Sequence, residues 1–243
     1  MHEKALRLIV GACAIALGAG VGGCRFTDDT WTNPSDTDFD SSVPSWDSGV
    51  DDDGGVGFAC PEGSPDLFDN EFSPFIGGEE SIDIVVVDFS FFKCPHCADF
   101  AAFWEGIWAD RPDYRAHVRF YFHNFPFDYD SAWQVHAAAY AASNQGLDNF
   151  WALHDYIFSS LHDDGVTVSI DDIEAYCQDT LQLDMTQFEE DLVDPNTMSF
   201  LTWDKQQGVD AGVTGTPSVF VCGEKVSGWS HIEEAIDSYL TNH

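Results

Sequence analysis

Positive charge is what this chain has least of. Lysine and arginine together number 9 in 243 residues, against 43 aspartates and glutamates, for a formal net charge of −34. None of the nine falls between Arg25 and Lys93. Such a surface repels a phosphate backbone, which excludes a nucleic-acid partner and leaves solubility as the plain meaning of the acidity. Long apolar runs are scarce as well. The stretch from Leu8 to Val21 is too short to span a bilayer comfortably. Regular patterning is missing from residues 25–57, which carry nine aspartates (28, 29, 36, 38, 40, 47, 51, 52, 53) among serines, threonines and glycines. That segment reads as a self-repelling tether, not a domain. A calcium loop on Asp36, Asp38, Asp40 and Asp47 fails, because Ser41 stands where the loop needs glycine and no helical pattern flanks it.

What is present begins with an export signal: Lys4 and Arg7 precede the apolar stretch. It ends in Val-Gly-Gly-Cys (21–24), which resembles the bacterial lipoprotein signal, in which small residues precede a cysteine that becomes lipidated. The resemblance implies a signal peptide over 1–23, a lipid on Cys24, a tether over 24–57 and a membrane anchor. Val21 and Gly22 depart from the commoner residues, so an ordinary cleaved signal with an incidental cysteine is the alternative. Both place the protein outside the cytoplasm, on the periplasmic side, where disulfides form and persist.

Seven cysteines are spread over the chain, and two of them close the stretch Val85 to Cys97, Val-Val-Val-Asp-Phe-Ser-Phe-Phe-Lys-Cys-Pro-His-Cys. An apolar run of strand length stops at Cys94 and Cys97, and Ala98 to Trp108 then reads as a helix burying Phe100, Ala101, Phe103, Trp104, Ile107 and Trp108. A cysteine there lies at a helix N-terminus, where unpaired backbone N–H groups favour the thiolate. Pro95 suits the first helical position, since its missing N–H would be unpaired in any case. A two-residue gap allows the sulfurs to bond with little strain. A second landmark, Gly-Val-Thr-Gly-Thr-Pro-Ser-Val-Phe-Val (212–221), follows far downstream.

In chain order, the folded unit is expected over 58–243. Phe72 to Ile84 leads in with a short strand, and Ile84 to Phe92 is a strand buried on both faces. A helix runs from Pro95 to near Asp110, where Pro112 stops it. Val118 to Phe125 is the next strand, parallel to the first long one. From about 131 to 207 the pattern is helical. Ala132, Val135, Ala138, Ala139 and Ala142 make one stripe, and Leu147, Phe150, Trp151, His154, Ile157, Phe158 and Leu161 another. Shorter helices follow over 173–181 and 188–193, and 200–208 leads back to the core. Ser218–Cys222 and Lys225–Ser227 form a hairpin at Gly223, and Ile232–Leu240 is a final helix. The fold class is α/β: a central mixed sheet flanked by helices, with an inserted helical subdomain.

That order of elements, with Asp88-Phe89-Ser90-Phe91-Phe92-Lys93-Cys94-Pro95-His96-Cys97 and the Thr-Pro loop, resembles the DsbA-like thiol–disulfide oxidoreductases of thioredoxin fold over about residues 75–243. The resemblance implies an enzyme that needs no cofactor and forms disulfides in exported proteins. Its substrates would be reduced or unfolded exported proteins, and a separate redox partner would recycle it. It implies Cys94 as the nucleophile that forms the mixed disulfide and Cys97 as the buried partner that resolves it. His96 would tune the stability of the thiolate, with Lys93 adding positive charge. Asp88 would lie under the buried cysteine and relay protons, and it stands where DsbA itself carries glutamate. Thr216-Pro217 would hold a cis bond and face the cysteines, and its threonine departs from the valine of DsbA. That departure keeps a disulfide reductase or isomerase open as the alternative. A protein using the two cysteines, with His96 as the obvious third ligand, to carry a soft metal is a further one. So is a docking module, to which Cys94 would be dispensable. His123, His136 and His154 read as packing residues. Cys60, Cys177 and Cys222 are an odd set, from which at most one intramolecular disulfide forms, and the sequence does not choose the pair.

Overall fold

A computed structural model of the protein describes residue 60 and residues 73–80, 84–127 and 132–241. The expected signal peptide, Cys24 and the acidic tether lie outside the described residues. No helix among the described residues is long and apolar enough to cross a membrane.

The centre is β2 (Ile84–Ser90), whose seven residues are all buried. Alternate side chains point to opposite faces, so a strand covered on both sides must be apolar at nearly every position. Ile84 and Val86 enter one core, together with Phe100, Trp104 and Ile107, while Val85, Val87 and Phe89 enter another with Phe125 and Phe220. The flanking strands are β1 (Phe75–Gly77), β3 (Val118–Asn124), β4 (Ser218–Val221) and β5 (Glu224–Val226). They form one mixed sheet in the order β1-β3-β2-β4-β5. β2 runs parallel to β3, as its sequence patterning requires, and antiparallel to β4, with Asp88 opposite Phe122 on one side and Val219 on the other. β1 and β5 close the sheet as short antiparallel edges.

Helix α1 (Pro95–Asp110) begins at Cys94 as its N-cap, with Pro95 in the first turn. Its buried side is Cys97, Ala98, Phe100, Trp104 and Ile107. Ala101, Phe103 and Trp108 are only partly covered. Pro112 does end this helix, but it also starts another, α2 (Pro112–His117), which the sequence reading omitted. A proline that cannot lie inside a helix is well suited to the first position of one. Five helices then fill the insertion: α3 (Ala132–Ser143), α4 (Leu147–Asp164), α5 (Ile170–Asp179), α6 (Met185–Leu192) and α7 (Pro195–Asp210). Ser169 opens α5 with a capping box to Asp172, and Asp184 and Asp194 cap α6 and α7 through their carboxylates. α8 (Ser230–Thr241) follows the hairpin.

The insertion shares its core with the segment around Cys94. Phe91, Phe92, Cys97 and Ala98 belong to the same buried cluster as Phe150, Leu153, Ile157 and Phe188. α7 approaches the sheet closely at Gly208, where a β-carbon would lie 2.7 Å from the ring of Phe125 and 2.9 Å from that of Phe89. Of the three cysteines left open, Cys60 and Cys222 form the disulfide, tying a residue ahead of the sheet to the end of β4. Cys177 is free and buried.

Candidate active site

The site is assembled where two loops meet beyond the ends of β2 and ahead of β4. After Ser90 the chain makes a turn in which the Cys94 N–H donates to the Phe91 carbonyl at 2.9 Å. Cys94 then caps α1 with extended backbone angles and no side-chain cap bond, so its sulfur is left to the helix N-terminus. From the other side comes Thr216-Pro217, joined by a cis peptide. The Cys94 thiol lies 3.5 Å from the Thr216 carbonyl, which accepts from it. Cys94, Cys97, Thr216 and Pro217 are therefore brought together, as the sequence expected.

The two thiols differ sharply. Cys94 is half-buried and Cys97 fully buried. The Cys94 thiol is held down to about 5, chiefly by the Cys97 thiol donating to it. The Thr216 side chain and the backbone N–H groups of Cys97 and His96 add to this against a cost of partial burial. Cys97 is pushed far up by burial, by its bond to Cys94 and by the nearby Asp88 charge. One sulfur is thus a thiolate at neutral pH and the other a proton donor to it.

Asp88 is fully enclosed in β2, not at a solvent-facing strand end. Burial raises its carboxyl to about 8, with the Cys94 charge adding and the Ser90 hydroxyl opposing. Ser90, buried and two residues along the same strand face, also moderates the Cys97 shift. Ser90 was not singled out in the sequence, although its i+2 relation to Asp88 placed it on the face that meets α1. His96 contributes to the Cys94 thiolate through its backbone N–H. Its imidazole is exposed and lies 3.8 Å from Asp99, which in turn meets His162 of α4 at 2.9 Å. The charge of Lys93 acts on His136, whose ring is buried. No group of three His, Cys, Asp or Glu side chains that could hold a metal ion occurs among the described residues.

Comparison with known proteins agrees with this fold. A family model described as thioredoxin matches residues 69–240. The probable disulfide bond formation protein D of Bacillus cereus is 28% identical over 170 residues, spanning 67% of this chain and 77% of that protein. Among solved structures, oxidised BdbD from Bacillus subtilis superposes with a TM-score of 0.61 at 22% identity, covering 70% of this chain and 94% of that one. A thioredoxin-like oxidoreductase from Silicibacter pomeroyi gives 0.60 at 24% identity, covering 72% and 96%. The overall fold is thus shared with these structures. The chain belongs to the thioredoxin family, as a DsbA-like thiol–disulfide oxidoreductase.

Proposed function

We propose that the protein introduces disulfides into reduced exported proteins, outside the cytoplasm, through the Cys94–Cys97 couple. The observation that carries this reading is the inequality of the two thiols. A Cys94 thiolate stabilised to about 5 favours the reduced form, and stabilising the reduced form makes the disulfide a stronger oxidant. In the oxidised protein a substrate thiolate attacks Cys94 Sγ, breaking the Cys94–Cys97 bond. Cys97 leaves and takes up a proton, for which Asp88, whose charge acts on Cys97 and whose carboxyl is raised to about 8, is the acid at hand. A second substrate thiolate then attacks the substrate sulfur of the mixed disulfide and expels Cys94 as a thiolate, a good leaving group because its pKa is low. Two electrons pass to the protein, and a separate redox partner removes them. Thr216 serves both forms of Cys94: its carbonyl accepts from the thiol and its side chain stabilises the thiolate. The disulfide-forming relative in Bacillus cereus supports the direction. The export signal, Cys24 and the tether support a lipid-anchored protein on the periplasmic side.

The test is the reduction potential of the purified full chain in glutathione buffers, with the Cys94 thiol followed by alkylation. A value near about −120 mV marks a donor of disulfides, and one near about −270 mV marks a reductase and overturns the proposal. No redox transition at all would remove the enzyme reading and leave metal carriage or docking.

A further inference from the structure

Four polar residues lie buried beside the dithiol without belonging to it: His123 and Asn124 at the end of β3, His136 in the alanine-rich α3, and Asp204 in α7. They are joined by hydrogen bonds and one close ion-pair contact. The Phe92 N–H donates to His136 Nε2 at 3.4 Å. His136 Nδ1 lies 2.7 Å from Asn124 Oδ1. Asn124 Nδ2 donates to Asp204 Oδ2 at 2.7 Å, and the same oxygen accepts the Asn124 backbone N–H at 2.8 Å. The other Asp204 oxygen lies 3.0 Å from His123 Nδ1.

The chain of bonds has one consistent direction. Burial, with the Lys93 charge adding, holds His136 down to about 3, so its imidazole is neutral and has one donor and one acceptor nitrogen. Since Nε2 accepts from a backbone N–H, Nδ1 must carry the proton and donate to Asn124. Asn124 then donates onward to Asp204. Every donor points toward the carboxylate, and none can be reversed without leaving two acceptors face to face.

The first link of that chain is the turn that presents the nucleophile. Phe92 is the second residue of the turn closed by the Cys94 N–H and the Phe91 carbonyl. The His136 ring also packs against both aromatic residues of the turn. It stacks on Phe91 at 5.9 Å with an interplanar angle of 4°, and meets Phe92 at 4.8 Å. We propose that His136, oriented by Asn124 and Asp204, is a positioning residue for Cys94. It holds the Phe91–Cys94 turn so that the sulfur stays on the first N–H groups of α1 and against Thr216. The helical insertion then has a part in the redox chemistry, since two of its helices supply His136 and Asp204. This inference rests on the assignment of Cys94 and Cys97 as the redox couple.

The experiment measures the thiol–disulfide equilibrium constant with glutathione, at pH 7, for the full chain and its variants. A redox transition in the unsubstituted protein is required first, and its absence would fail the assignment of the couple, not this inference. His136→Phe retains a ring and deletes both hydrogen bonds. The expected result is a constant about tenfold lower, or about 30 mV more negative, with the Cys94 thiol titrating correspondingly higher. His136→Gln, which keeps one acceptor and one donor, restores the constant to within about threefold. Asp204→Asn, of equal size, shifts it in the same direction as His136→Phe, by about threefold. A purely structural cluster behaves differently: unfolding free energies fall equally in the oxidised and reduced forms and the constant does not move. Unchanged constants in folded His136→Phe and Asp204→Asn overturn the proposal. If His136→Phe does not fold, Asp204→Asn decides alone.

Discussion

The Cys94 thiolate gives the redox equilibrium a definite dependence on pH. Reduction by glutathione converts one protein disulfide and two glutathione thiols into a protein dithiol and glutathione disulfide. Glutathione carries an ordinary thiol, and Cys97 is pushed far above the ordinary cysteine value, so both stay protonated through pH 7. Only Cys94 releases its proton in this range, at about 5. A depressed pKa stabilises the charged form above that value, and the stabilisation is lost as pH falls through it. The equilibrium constant for reduction therefore rises with pH above about 5 and is flat below. Taken at the value of about 5, the change from pH 5 to pH 7 is about fifty-fold, roughly 50 mV of added oxidising power relative to glutathione. Cys94 is half-exposed, and solvent screening that moves the thiol up by one unit reduces this to about tenfold. Asp88, at about 8, remains protonated and does not interfere. The assay is equilibration in glutathione buffers at pH 5, 6 and 7, quenched with acid and alkylated. A constant that changes less than about twofold across those buffers would show that Cys94 titrates as an ordinary thiol, and the account of its activation would be wrong.

Two further outcomes concern the surroundings of the dithiol. Asp88 has its carboxyl raised chiefly by burial, so the folded protein holds a proton that the unfolded chain has lost, and stability falls as pH rises from about 4 toward 8. In the oxidised protein, the change in urea-unfolding free energy from pH 5 to pH 7 should be more favourable by about 2 to 3 kcal/mol in Asp88→Asn than in the unsubstituted chain, where the loss from Asp88 is partly offset by the gain from the buried, neutral His136. An unchanged slope in the variant would place the titration elsewhere. Gly208→Ala, although it favours the helix intrinsically, should destabilise by about 1 to 3 kcal/mol, because its β-carbon would enter the rings of Phe125 and Phe89. A raised thermal midpoint would show that α7 can withdraw from the sheet without loss.

Much of this architecture could be read from local pattern. The apolar run Ile84–Phe92 announces a doubly covered strand, Pro95 the start of α1, and the alanine stripe of α3 a buried helix. The dithiol and its facing loop were equally legible, because a strand, a Cys-Pro-His-Cys helix start and a Thr-Pro turn each carry a short-range signal. Other features depend on register and tertiary approach. Pro112 was read only as a terminator, since the six residues of α2 are too few to show a period. The Cys60–Cys222 pair joins residues 162 apart, and nothing local distinguishes it from the two other pairings. Asp204 is one acid among 43, and only the packing of α7 on β3 identifies it as a buried one. His123 and His136, read as packing residues, do pack, but their ring nitrogens also join a polar chain that no spacing rule reveals.

The insertion separates the two halves of the site along the chain, although they meet in space. Cys94 and Thr216, which touch, are 122 residues apart, and β2 pairs directly with a strand made after all five inserted helices. Closing a flexible loop of that length costs about 4 kcal/mol in chain entropy, which the docking of β4, β5 and α8 on the sheet offsets. During synthesis from the N-terminus, the dithiol emerges long before the loop that faces it. Through that interval Cys94 lacks Thr216, and Cys60 lacks its disulfide partner. The facing loop, made late in the chain, is what turns two adjacent thiols into a finished site, so a chain interrupted between Cys97 and Thr216 retains the Cys-Pro-His-Cys motif without its facing loop.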